Sequence, residues 1–162
     1  MILLKFDVAI NGDSTVPDHD KWITIDSMEF GVGRAITTSG TGTDRDTSNP
    51  SFSEVTLKKS MDVASTDLFM QAVCGKSLTK ATIHFIQTGG TDAKGKAQVY
   101  LEYLLHDPIV SSYSVKSVGE RPTESISINF NQIQTKYTVF TEGGTPTAGT
   151  QKGWDLKKND IM

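Results

Sequence analysis

The residues 90–97 come closest in this chain to a nucleotide-binding motif. They read Gly-Thr-Asp-Ala-Lys-Gly-Lys-Ala, and in a phosphate-binding P-loop a hydroxyl residue after the final lysine holds Mg²⁺. Here Ala97 stands at that position and has no oxygen to offer. The next residues, 98–104, alternate as in a strand, whereas a P-loop opens a helix. We therefore interpret residues 90–97 as a hairpin turn.

Two further groups of titratable residues could bind a metal ion or take part in catalysis. His19 with Asp13, Asp18 and Asp20 could bind a cation, but no EF-hand spacing is present, and a polar surface turn explains the same residues. We therefore predict no metal site and no cofactor.

General acid–base catalysis is suggested by the residue types of Glu102, His106 and Asp107. No Gly-x-Ser-x-Gly motif accompanies them, and Asp107-Pro108 is typical of a strand break. Cys74, the only cysteine, follows Val73 in a predicted helix and is expected to be buried and inert. We predict no catalytic residues, so the chain is not expected to be an enzyme.

Alternation of apolar and polar side chains dominates the chain and predicts nine short strands. Ile126, Ile128 and Phe130 alternate with serine and asparagine, and Ile2, Leu4, Phe6, Val8 and Ile10 alternate near the start. Many strands at 8–12-residue spacing indicate an all-β barrel or sandwich. The predicted fold is mainly β and barrel-like: two packed antiparallel sheets, one short helix and a long extended loop.

Three segments depart from this pattern within one domain, residues 1–162. Helical spacing of Leu68, Phe69, Ala72 and Val73 predicts a helix over 65–75, with Ser65 to Asp67 as N-cap and Gly75 as stop. Residues 35–51 are rich in Thr, Ser, Gly and Asp and predict a long loop, of the kind that is usually functional or disordered. Residues 143–162 form a tail, rich in Gly, Thr and Pro up to Gly149.

Composition limits the function classes. The net charge is −3, with 36% hydrophobic and 22% charged residues, which argues against a nucleic-acid binder. No apolar run approaches the roughly 20 residues of a membrane helix, so membrane insertion is not expected. The start, Met1 to Asp7, lacks the features of a secretory signal. We expect synthesis in a reducing cytoplasm and, if the protein leaves the cell, export without a signal peptide.

Several segments, in order, resemble the haemolysin-coregulated protein family, the inner-tube subunit of the bacterial type VI secretion system. They are His19–Ile25 leading to Met28–Gly31, Phe52–Thr66, Ile109–Ser114, Arg121–Phe130 and Gly153–Leu156.

The resemblance implies a phage tail-tube-like subunit that forms hexameric rings. The rings stack into a tube that a contractile sheath propels into a target cell, and the tube carries effectors in its lumen. Implied partners are further copies of the chain, the sheath, baseplate and spike proteins, and effector proteins. The protein would then be made in the bacterial cytoplasm and exported to the extracellular space or a target cell.

The resemblance also suggests roles for particular residues. Alternation separates Ser27 and Glu29 from Met28 and Phe30, and the family's lumen strand places Ser27 and Glu29 toward the lumen. The extended loop, with Thr38, Asp44, Arg45 and Asp46, would reach neighbouring subunits and the next ring. Two alternatives stay open: a monomeric all-β module that binds a small ligand within its own barrel, and a hydrolase that uses His106 and Asp107.

Overall fold

Antiparallel β-structure makes up most of the protein. The computed structural model describes residues 1–38, 45–88, 97–141 and 144–162. Within them are one helix, α1 (Ser65–Cys74), and sixteen strands, several only two or three residues long. The strands are β1 (Ile2–Phe6), β2 (Ile23–Ile25), β3 (Ser27–Glu29), β4 (Val32–Gly33), β5 (Ile36–Thr38), β6 (Arg45–Thr47), β7 (Ser51–Phe52), β8 (Val55–Ser60), β9 (Lys80–Thr88), β10 (Ala97–His106), β11 (Ile109–Lys116), β12 (Thr123–Asn129), β13 (Gln132–Phe140), β14 (Pro146–Ala148), β15 (Lys152–Asp155) and β16 (Asp160–Ile161).

Two antiparallel sheets enclose the main core. The larger has the order β16-β15-β13-β10-β9-β1-β2, with β14 also paired to β13, and the smaller has the order β11-β12-β8-β3. Alternate residues point to opposite faces of a strand. Leu4 and Ile83 of the large sheet therefore meet Leu57 and Ile126 of the small one, and all four are fully buried. This confirms the predicted mainly β fold with two packed sheets and one short helix.

Helix α1 lies against β11 and begins without a side-chain cap. Ala64 occupies the N-cap position, and the predicted cap residue Ser65 is the first helical residue. Asp62 organises this turn instead, because its Oδ1 accepts a hydrogen bond from Ala64 N while its own N–H donates to Ser65 Oγ, each at 2.9 Å. Leu68 is the fully buried anchor of the helix, and Phe69 meets Tyr113 edge-on at 5.9 Å between ring centroids.

The segment predicted as a loop over 35–51 is largely strand where the structure describes it. β5 pairs with β6 and β4 with β7, all antiparallel. We call residues 32–38 and 45–52 the arm; every side chain in it whose burial is described is exposed, except those of Pro50 and Phe52. These short strand pairs were not predicted from the sequence, because the prediction considered only residues that become buried. Two strands can pair through their backbones without burying either face.

Two segments cover surfaces of the large sheet. The C-terminal residues predicted as a tail add β14, β15 and β16 to it, with Trp154 opposite Ile133. Residues 7–22 fold over its outer face, where Trp22 packs with Leu3 and Ile86 in a second small core. Gly12 permits this close approach, because a Cβ there would collide with the backbone of Trp22 and Ile23.

Candidate functional site

The outer face of the four-stranded sheet is polar except for Ile109, which pairs with Asn129 at one end of the face and is 40% exposed. Register places its members in rows across the strands, for example Ser27, Lys58, Ser125 and Ser114, which are consecutive partners on β3, β8, β12 and β11. All members are exposed or partly exposed. We call this surface the hydroxyl-rich face; its members are Ser27, Glu29, Thr56, Lys58, Ser60, Ser112, Ser114, Lys116, Thr123, Ser125, Ser127 and Asn129.

Ser27 and Glu29 both lie on this face, at its β3 edge. Their side chains are exposed, whereas Met28 and Phe30 are partly buried against the main core. Because β3 is three residues long and pairs only with β8 among the described strands, Glu29 stands at an open edge of the sheet. The orientation of these residues toward a lumen stays a prediction.

Charges on the hydroxyl-rich face are of both signs, and Glu29 forms no ion pair with Lys58 among the described residues, although the register makes the two diagonal neighbours. Glu29 lies at the β3 edge, whereas Lys58 lies on β8 and Lys116 at the far end of β11. Glu54, beside the face, accepts hydrogen bonds from Ser111 Oγ at 2.8 Å and Asn129 Nδ2 at 3.1 Å. A solute on this face would therefore meet an acidic edge and a basic end.

The residues predicted to contact neighbouring subunits belong to the arm. Thr38 and Arg45 are register partners at the described end of the β5–β6 pair, and Asp46 pairs with Thr37. Asp44 lies outside the described residues. Their predicted role in contacts between subunits or rings stays a prediction.

The suspected acid–base group does not assemble. Glu102 Oε2 hydrogen-bonds His84 Nε2 at 2.8 Å, and not His106. The Nε2 atom of His106 is buried without a hydrogen-bond partner in the described residues, while Asp107 accepts a bond from Asn131 Nδ2 at 2.9 Å. Of the P-loop-like segment, only Ala97 lies within the described residues, and it begins β10.

A histidine pair is one of two polar clusters that sequence reasoning missed. His19 Nε2 lies 2.8 Å from His84 Nδ1, and His19 Nδ1 lies 3.2 Å from the carbonyl oxygen of Pro17. With the Glu102 contact this makes a chain of three hydrogen bonds, which pins residues 7–22 to the large sheet. Burial lowers the pKa of His84, more than the Glu102 carboxylate raises it, and the nearby His19 lowers it further.

The aspartates near His19 in sequence do not join it. His19 is buried against Trp22 at 4.6 Å between ring centroids, whereas Asp13, Asp18 and Asp20 are exposed. Within the described residues, no group of three or more His, Cys, Asp or Glu side chains is arranged to hold a metal ion.

A second polar cluster is buried on the inner side of the four-stranded sheet, beside the turn that precedes α1. The Lys59 ammonium donates to Glu124 Oε2 at 2.9 Å, to Asp62 Oδ1 at 2.7 Å and to the Ser60 carbonyl oxygen at 2.8 Å. Tyr113 Oη donates to the other Glu124 oxygen at 2.6 Å. Burial alone would raise the pKa of Glu124, but the hydrogen bonds from Tyr113 and Lys59 and the lysine charge hold it below its usual value. The cluster is fully paired and therefore structural.

Cys74 is exposed, so the prediction of a buried thiol was wrong. Its side chain lies on the outer side of α1, where its Sγ donates to the Met70 carbonyl oxygen at 3.4 Å. The buried positions of this helix are Ser65 and Leu68; Phe69, Met70 and Val73 are at least half exposed. No helix in the described residues has the length and apolarity to cross a membrane.

Comparisons with known proteins agree with this architecture. The family model described as type VI secretion system effector, Hcp, matches residues 3–137. Protein hcp1 of Pseudomonas aeruginosa is 30% identical over 110 residues, which are 65% of this chain and 65% of that relative. The chain is thus matched over slightly less than two thirds of the length of that curated relative.

Solved structures show the same fold over nearly the whole chain. A structure described as that of a type six secretion system protein superposes with a TM-score of 0.87 at 24% identity, covering 99% of this chain and 98% of the other. The tube-terminating cap of the anti-feeding prophage superposes with a TM-score of 0.57 at 10% identity, covering 84% and 87%. The fold is thus phage tail-tube-like, as predicted. Because the family model spans most of the chain, the protein belongs to the Hcp family of the type VI secretion system, a family of structural tube proteins and not of enzymes.

Proposed function

We propose that the chain is the tube subunit of a type VI secretion system and closes into a ring of six with the hydroxyl-rich face lining the lumen. Rings of this kind stack into a tube, which the sheath, baseplate and spike proteins assemble and propel. Effector proteins travel in the lumen, and the tube protein is exported with them. Ser27 and Glu29 then face the cargo.

The observation that carries the proposal is an exposed sheet face that is polar except for Ile109, on a sheet with two open edges. β11 and β3 each have one paired neighbour among the described strands. Exposed strand edges are templates for pairing with another chain, and a heterologous contact between two different edges closes into a ring when its rotation allows. Ring closure would cover both edges and leave a hydrated inner wall.

The same architecture argues against a ligand held within the chain's own barrel. The space between the two sheets is filled by buried side chains, including Phe6, Leu57, Ile83 and Leu105. A ring lumen needs no internal cavity, whereas a monomeric binding module does.

Light scattering and electron microscopy test the ring directly. We expect a particle about six times heavier than the 17.6 kDa chain, with a central hole. Glu29→Arg should change cargo retention and leave the ring size unchanged. A stable monomer at tens of micromolar contradicts the ring, and a ring that dissolves on Glu29→Arg places Glu29 at a subunit contact instead of in the lumen.

The arm is proposed to join successive rings. Replacing residues 38–48 with a short Gly-Ser linker removes β6 and the last residue of β5, but none of the core residues that the structure describes as buried. We expect an unchanged melting transition and intact rings, together with loss of stacking and secretion. A shortened variant that still stacks and is secreted contradicts this role.

A further inference from the structure

A concave site lies at the basic end of the hydroxyl-rich face. It has a volume of about 500 Å³, which falls in the range of about 300–1,000 Å³ that is usual for ligand clefts. β8, β11 and β12 form its floor, and the turn between β11 and β12 forms one wall. Among the residues that line it are Lys58, Lys116, Arg121, Ser114, Thr123 and Ser125.

The charge of this cleft is opposite to that of the whole chain. Lys58, Lys116 and Arg121 are exposed, and none of them pairs with a carboxylate within the described residues. Glu120 is the one exposed acid among the lining residues, and the lining carboxylate of Glu124 is buried and already paired with Lys59. The cleft therefore holds a surplus of positive charge in a protein whose net charge is −3.

Register explains why these charges converge. Lys116 and Thr123 are partners, and so are Ser125 and Lys58, one row further along the same face. The two lysines are thus separated by two inter-strand spacings of about 4.8 Å and one row, a distance that their long side chains span. Hydroxyl groups of Thr123 and Ser125 lie between them and can donate hydrogen bonds.

We infer that this cleft binds the carboxylates of an acidic polypeptide segment, such as a run of Asp and Glu on a cargo protein. Two ammonium groups, the Arg121 guanidinium and hydroxyl donors suit several separate carboxylates, because each ammonium is a point charge and the guanidinium fork matches the geometry of a carboxylate. The acidic edge at Glu29 would meet a different part of the same cargo. This inference rests on the proposed function, because it takes the hydroxyl-rich face as the surface that contacts cargo.

Fluorescence anisotropy with short labelled peptides tests the site. The probes are a Glu-rich octapeptide and the same peptide with Gln at every Glu position, with the mass of the protein particle measured by light scattering in the same samples. We expect at least about tenfold tighter binding of the Glu peptide at low salt, because each exposed ion pair raises the affinity by up to about fivefold and the factors from several pairs multiply. The preference should shrink as the Debye length falls from about 10 Å at 0.1 M to about 3 Å at 1 M salt.

Matched variants separate the cleft from general charge. The triple variant Lys58→Gln, Lys116→Gln, Arg121→Gln should lose about tenfold or more in affinity for the Glu peptide. The control Lys76→Gln, Lys157→Gln, Lys158→Gln makes the same change in net charge at exposed residues outside the cleft and should bind like the original protein.

The outcomes distinguish this site from the ring. Equal binding of the Glu and Gln peptides by an intact ring overturns the site and leaves the tube function standing. Equal weakening by the triple variant and the control also overturns it. Cleft-dependent binding by a protein that stays monomeric keeps the site and contradicts the ring.

Discussion

The buried pair of Lys59 and Glu124 makes a sharp prediction about stability. Lys59→Met removes the charge and the three hydrogen bonds that the ammonium donates. The Glu124 carboxylate then stays buried with the Tyr113 hydroxyl as its remaining strong donor. Leaving one partner of a buried pair uncompensated costs about 3–5 kcal/mol, which is a large part of the roughly 5–15 kcal/mol that stabilises a typical domain.

Replacing both partners should restore most of that loss. In Lys59→Met, Glu124→Leu apolar residues of similar volume replace the ion pair, a change that is often neutral or stabilising. The Asp62 side chain, which is 5% exposed, loses its lysine but keeps the hydrogen bond from the Ala64 N–H. We expect the double variant to be more stable than either single variant, because the two changes touch one network and their effects do not add.

Guanidinium unfolding followed by the fluorescence of Trp22 and Trp154 measures these differences. Protein concentration must be held constant, since assembly makes apparent stability depend on it. Lys158→Met, at a lysine side chain that is 79% exposed, is the control and should change stability by less than about 0.5 kcal/mol. A Lys59→Met cost below about 1 kcal/mol, or a double variant equal to the sum of the singles, would refute the reasoning.

The pH dependence of the same pair follows from the sign of its shift. The pKa of Glu124 is lowered in the folded protein, so its contribution is complete above the unfolded value of about 4.3 and is lost as pH falls through the folded value. The double variant should lack this acid-dependent loss.

Three further predictions concern other parts of the chain. The lowered pKa of His84 means that the unfolded chain binds the extra proton first as pH falls below about 6.5; the melting temperature should drop between pH 7 and 5, and His84→Gln should reduce that slope. Exposed Cys74 should react with a thiol reagent in the folded protein at close to one equivalent per chain, and protection until denaturant is added would contradict its placement. Gly12→Ala should cost about 1–3 kcal/mol, because its Cβ would lie 2.5 Å from Ile23 Cα, whereas the control Gly33→Ala meets no atom within 4 Å.

The alternation pattern predicted the sheets well because burial of one face imposes a period of two on the sequence. The same period of two also marks two charged residues as inward-facing, which the sequence analysis overlooked. Lys59 continues the inward series of Val55 and Leu57, and Glu124 begins the inward series of Ile126 and Ile128. Read strictly, the period places a lysine and a glutamate in the core, and two opposite charges at inward positions predict a buried pair.

The contact between His19 and His84 could not be predicted from the alternation pattern. Its formation depends on the register of β9 against β10, which sets His84 opposite Glu102. That register includes an irregularity between Val99 and Leu101, and one inserted residue changes every pairing beyond it. The contact of His19 with His84 also requires residues 7–22 to fold back over the sheet, and no local pattern specifies that path.

The short strands of the arm and the exposure of Cys74 were missed for a related reason. Sequence patterns report burial, and neither feature is buried. The arm strands pair through backbone hydrogen bonds along exposed residues, so their side chains carry no periodic signal. On α1, apolar Phe69, Met70 and Val73 are exposed beside Cys74, so apolar neighbours were a poor guide to the environment of the thiol.

The buried pair and the hydroxyl-rich face depend on one another through register. A slip of β12 by one residue would turn Glu124 out to solvent, bring Ser125 and Ser127 into the core and expose the isoleucines. Such a slip would also leave the Lys59 ammonium buried without its partner, at a cost of several kcal/mol. The pair therefore penalises the wrong register more strongly than apolar packing alone. Because Thr123 and Ser125 flank Glu124 in sequence, the pair that fixes the core also fixes which residues the face presents.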